Sequence, residues 1–91
     1  MQQNQAETLA IQALSWLAAD ADILEQFLNT TGAAPGDLRA RAQEPEFLGF
    51  VLDFIQRDDE TILGFCQSVN TSPETVIRAR ATLGGGLPNW T

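Results

Sequence analysis

Between Glu46 and Arg57 stand seven large apolar residues: Phe47, Leu48, Phe50, Val51, Leu52, Phe54 and Ile55. At about 100° per residue they cover roughly 200° of a helix. A helix apolar over that much of its circumference cannot rest on one neighbour and must be enclosed from several sides. Only Gly49, Asp53, Gln56 and Arg57 remain for solvent on this reading. Three of the five Phe lie in this segment, so it is expected to be the centre of the fold. Its natural partner is Gln5 to Ala19, where Ala6, Leu9, Ala10, Ala13, Leu14, Trp16 and Leu17 fall on one broad arc.

The remaining segments are short and well punctuated. Asp20 or Asp22 restarts the chain as a helix cap, and Asp22 with Glu25 has capping-box spacing. The next helix carries Ile23, Leu24, Phe27, Leu28 and Thr31 on one face, with Gly32 as its C-terminal cap. Pro35 opens a short helix to Gln43, edged by Leu38 and Ala42, and Pro45 opens the central one. Asp58, Asp59 and Glu60 suit a helix start, followed by Ile62, Leu63, Phe65, Cys66 and Val69. Ser72 and Pro73 begin the last helix, with Val76, Ile77, Arg80 and Leu83. The expectation is an all-α, compact bundle of five or six short helices, with no strand pattern. A disordered N-terminus (1–4) precedes a single helical domain (5–83), and a Gly-rich tail (84–91) follows.

An internal repeat sharpens this. Leu14–Ala42 aligns with Leu52–Ala81 at an offset of 38 residues, rising to 39 after one added residue. Trp16 matches Phe54, Asp20 matches Asp58, Phe27 matches Phe65 and Pro35 matches Pro73. The strings Leu38-Arg39-Ala40-Arg41-Ala42 and Ile77-Arg78-Ala79-Arg80-Ala81 also coincide. Two pseudo-repeated three-helix units, each too greasy to stand alone, are expected to pack on each other.

Charge removes several functions. Twelve Asp and Glu face five Arg, with no Lys and no His, for a formal net charge of -7. That balance argues against nonspecific nucleic-acid binding and against anionic lipid. Imidazole base, Schiff-base amine and phosphate-loop lysine are all missing, so no catalytic residue, cofactor or metal is expected and the chain reads as a non-enzyme. Met1–Ala10 has neither the positive charge nor the apolar run of a signal peptide, and no stretch approaches the ~20 apolar residues of a membrane span. A cytoplasmic protein is the expectation.

Five features invite a sharper reading. Phe65–Ala81 imitates a helix-turn-helix, and a DNA-binding regulator using residues 61–81 would present Glu74, Thr75 and Arg78 to bases. Arg78 and Arg80 lie ~200° apart on a helix, however, and form no basic stripe. Arg41 and Arg80 stand toward the apolar side of matching short helices, which predicts structural ion pairs with Asp20 or Asp22 and with Asp58 or Glu60. The acidic clusters themselves read as capped, solvated helix starts, without the loop a calcium site needs. Cys66, beside Ile62 and Val69, reads as a buried and inert thiol. Leu87 and Trp90 in the tail are candidate partner-binding residues, with docking back onto the domain as the competing reading.

Two further runs carry a likeness. One is Leu14-Ser15-Trp16-Leu17-Ala18 with Phe27-Leu28-Asn29-Thr30-Thr31-Gly32 and Pro35-Gly36-Asp37-Leu38-Arg39. The other is Pro45-Glu46-Phe47-Leu48 with Val51-Leu52-Asp53-Phe54-Ile55 and Asp59-Glu60. Over about Ala6 to Leu83 the chain resembles a small bacterial family, mostly alphaproteobacterial, catalogued as domain of unknown function 3572. The resemblance implies a compact cytoplasmic helical domain and brings no activity. By elimination the expected role is a small acidic module that binds an unidentified protein partner.

Overall fold

A computed structural model describes residues 1–83, and their elements are all helical. In chain order these are α1 (Gln3–Ala18), α2 (Ala21–Thr31), a 3-10 turn (Pro35–Asp37) running into α3 (Leu38–Arg41), α4 (Pro45–Ile55), α5 (Asp59–Val69) and α6 (Pro73–Leu83). The all-α bundle read from the sequence is the observed fold. Helix α1 begins at Gln3, so residues 3 and 4 of the stretch expected to be disordered are helical, with Gln2 as the N-cap. There Gln2 donates its backbone N–H to Gln5 Oε1 at 3.1 Å.

Each break has a local chemical cause. Asp20 caps α2 by accepting from the N–H groups of Asp22 and Ile23, at 2.9 and 3.2 Å. Asp58 caps α5 by accepting from Thr61 N–H at 2.8 Å. Helix α2 ends on Gly32 at φ 74° and α5 ends on Asn70 at φ 55°, both in the left-handed region that lets a C-terminal carbonyl be satisfied. Pro45 and Pro73 open α4 and α6, where the missing N–H costs nothing. Helices α2 and α5 are both 11 residues long with the same Asp cap and left-handed stop, so the repeat is real as local structure.

It does not extend to the packing. Helix α6 lies against both α1 and α4, whereas α3, its counterpart, has no comparable contact with any helix among the described residues. Four residues of α3 cannot bury what eleven residues of α6 bury. Leu38 stays half-buried, while Val76, Ala79 and Leu83 are buried. Those three sit at i, i+3 and i+7, the stripe by which α6 wedges between its neighbours.

Helix α4 is the centre, enclosed by α1, α5 and α6. Its orientation departs from the sequence reading at one adjacent pair: Gly49 is buried and Phe50 is 47% exposed. Gly49 is turned inward because Arg80 of α6 lies on it; a Cβ there would stand 2.8 Å from Arg80 Nη1. The exposed stripe is therefore Glu46, Phe50, Asp53 and Arg57. Leu63 and Ile77, counted on apolar faces from the sequence, are likewise about half exposed.

The core is knit by edge-to-face aromatic pairs. The Phe27 ring of α2 meets the rings of Phe47 and Phe54 of α4 with centroids 5.8 and 5.2 Å apart, and Trp16 of α1 meets Phe65 of α5 at 5.9 Å. Phe27 is fully enclosed. Replacing it by Ala deletes a buried ring and both pairings, and is expected to cost about 3–5 kcal/mol. Phe50→Ala on the exposed stripe should stay within about 0.5 kcal/mol of the parent. Urea midpoints of the two variants, measured side by side, check the orientation of α4.

Candidate groove between α2 and α4

The Phe27 contact seats the end of α2 beside the exposed stripe of α4 and leaves a groove of about 510 Å³ between them. Thr30 and Thr31 of α2 form one bank. Phe50, Asp53, Phe54 and Arg57 of α4 form the other, and Arg41 at the end of α3 closes one side. Each threonine hydroxyl is satisfied within α2: Thr30 donates to Gln26 O and Thr31 to Phe27 O, both at 2.9 Å. They line the groove without an unmet hydrogen-bond demand.

Aromatic faces hold both arginines. The Arg57 guanidinium carbon lies 4.4 Å from the Phe54 centroid, and that of Arg41 lies 5.6 Å from the Phe47 centroid. A guanidinium laid on a ring keeps its in-plane N–H groups for an acceptor. Arg57 also stands 3.5 Å from Asp58, at the margin of an ion pair. The one carboxylate in the wall, Asp53, is engaged by Arg80 through a 2.7 Å contact from Nε to Oδ1.

This geometry redraws the predicted ion pairs. Arg80 takes Asp53 rather than Asp58 or Glu60, because α6 lies along α4 while Asp58 is spent on capping α5. Asp20 is spent on capping α2 in the same way, and among the described residues Arg41 has a ring for a neighbour and no carboxylate within ion-pair distance. The tail residues Leu87 and Trp90 lie outside the described residues. Phe50, Asp53 and Arg57 were not recognised as a site from the sequence. Their spacing of i, i+3 and i+7 was the available signal, since it places a Phe, an acid and an Arg on one helical stripe.

Elsewhere the candidate features resolve into structure. Helices α5 and α6 are joined by residues 70–72, as in a helix-turn-helix, with Cys66 and Val76 buried at its small and apolar positions. Its outer face offers Arg78 beside Glu74 at i, i+4 spacing, so one cation there is countered by one anion. Burial pushes the Cys66 thiol above its ordinary pKa, which makes it a poor nucleophile. Among the described residues no group of three His, Cys, Asp or Glu side chains is assembled that could hold a metal ion, and no helix is long and apolar enough to cross a membrane. A second concavity of about 300 Å³, between the start of α1 and Thr75, is lined by amide, hydroxyl and apolar side chains.

The likeness carried by Leu14–Ala18 and Pro45–Ile55 extends over nearly the whole chain: residues 3–86 match a family model described as "Protein of unknown function (DUF3572)". No curated protein and no solved structure matches the chain.

The groove's neighbour Asp58 generates a pH prediction. Its carboxyl is held below the ordinary value of 3.8, first by hydrogen bonding to the Thr61 side chain, then by the Thr61 backbone N–H, with Arg57 adding a smaller pull. A folded-state pKa that is depressed contributes stability above the unfolded value and loses it as pH falls through the folded one. Asn retains capping ability without charge. Asp58→Asn is therefore expected to be less stable than the parent at pH 7, and the gap should close as the pH drops below 3.8. Paired urea titrations at pH 7 and pH 3 measure it.

Proposed function

Because the chain belongs to the family of proteins of unknown function described as DUF3572, whose description assigns no activity, we propose its role from its own surface: a non-enzymatic protein interaction module that docks a partner in the groove between α2 and α4. The observation that carries this reading is Phe50. A Phe left about half exposed on the most apolar helix of the bundle, beside a concavity walled by Phe54, is surface that a second protein can cover. The groove's size falls in the range of binding sites, yet it opens to solvent and would not bury most of a small ligand. A side chain projecting from a partner uses such a shape better. The expectation of a bacterial, cytoplasmic protein, taken from the resemblance, accompanies this reading.

Recognition of DNA through residues 61–81 has weaker support. Arg80 is engaged with Asp53, and the outer face of α6 sets Glu74 one turn from Arg78 on a chain of net charge -7. Phosphate contact by that face would release few counterions.

A photo-crosslinking residue placed at position 50 tests the proposal in the cells that make the protein. A discrete protein adduct is expected, lost when excess unmodified protein competes, and absent when the crosslinker replaces exposed Ser15 on α1. Equal adducts from both positions, or none from position 50, overturn the reading. A low-salt mobility shift with genomic fragments should show no complex.

A further inference from the structure

The groove's charge identifies the partner more closely. Of the five cationic residues in the chain, Arg41 and Arg57 line the groove and Arg80 neutralises Asp53 in its wall. The other two, Arg39 and Arg78, are scattered over a surface that carries most of the twelve acidic residues. Among the described residues, this concavity, walled by Phe50 and Phe54, is thus a place where positive charge is gathered on a strongly negative molecule. Within the groove a carboxylate meets Arg41 and Arg57, the latter shared with exposed Asp58 at 3.5 Å, whereas the surrounding acidic surface repels it, so attraction for an acidic group is confined to the groove.

On the reading that this groove is a docking site, we infer that its occupant is an acidic segment of a partner protein, with one aromatic or aliphatic anchor flanked by carboxylates. The anchor lies against Phe50, Phe54, Thr30 and Thr31. The carboxylates meet Arg41 and Arg57. Each guanidinium rests on a ring already, so little side-chain freedom is lost when a carboxylate engages it, and its planar N–H edge suits two-point contact. Asp53 does not oppose this, because Arg80 at 2.7 Å offsets its charge. A second copy of the chain is a poorer occupant than a short acidic segment, since it brings a whole charge of -7 against another of the same sign and so more repulsion for the same two arginines. An anionic bilayer or a nucleic acid meets the same obstacle, with two arginines against a continuous array of phosphates.

Twelve-residue peptides test the assignment, with Phe, Trp or Leu at the centre and Glu at three and four residues on either side. Matched peptides carry Lys in place of Glu, or Ser in place of the anchor. Binding is read by amide chemical shifts of the full-length protein. The Glu peptides with an anchor are expected to move the signals of Thr30, Thr31, Phe50 and Phe54, and to weaken as salt rises. Arg41→Gln and Arg57→Gln should each lower affinity by roughly ten-fold at low salt, the scale of one charge-assisted contact. Arg39→Gln, at an exposed arginine outside the groove, should leave it unchanged. Phe50→Ser should weaken every anchored peptide, and its unaltered spectrum elsewhere would show that the fold is kept.

Preference for the Lys peptides, equal binding of the anchorless ones, or no shifts at the groove overturns the acidic partner. If that happens while crosslinking at position 50 still gives its competed adduct, the docking site stands and only its occupant is wrong. Failure of both experiments removes the docking site as well.

Discussion

The edge-to-face seat of Phe27 between Phe47 and Phe54 is the contact on which the arrangement of this small bundle turns. Helix α2 has one fully buried side chain, and it is this one. The other apolar residues of α2, Ile23, Leu24 and Leu28, only flank the core. A helix held chiefly by a single ring takes its position from where that ring fits, and the two faces offered by α4 leave few alternatives. Because Thr30 and Thr31 follow Phe27 by about one turn, the same contact sets the width of the groove. Core packing and candidate binding surface are therefore one construction, and loosening the first would open the second.

A second constraint rotates α4. With Arg80 lying on Gly49, the side of the helix that has no side chain turns inward, and a phenylalanine is left outside. The ion pair from Arg80 to Asp53 is worth little as stability, since Asp53 is half in solvent and exposed pairs contribute about 0–1 kcal/mol. Its consequence is electrostatic. Neutralising Asp53 leaves the groove with the character of Arg41 and Arg57 on a chain of net charge -7.

How much of this could be read beforehand depended on the range of the interaction involved. Caps and stops are settled within four residues, which is why Asp20, Gly32, Pro35, Pro45, Asp58 and Pro73 all punctuate the chain where their chemistry says they should. The repeat was legible for the same reason, and it held for α2 and α5. It failed for α3 and α6 because their equivalence needed equal partners, and only α6 reaches both α1 and α4. The predicted pairs of Arg41 with Asp20 and Arg80 with Asp58 failed likewise: each aspartate was already committed to its own helix start.

Sequence alone determined that the elements of this chain are helices, that α4 is enclosed, and that the net charge is strongly negative. Those properties follow from periodicity and composition, which are sums over local terms and need no knowledge of neighbours. Which way α4 faces was decided only in the assembled bundle. Gly49 and Phe50 are adjacent, and a pattern apolar over roughly 200° does not say which edge is left outside until α1 and α6 have taken their sides. The groove exists at that edge, where one arginine from a distant helix outweighed the hydrophobicity of one phenylalanine.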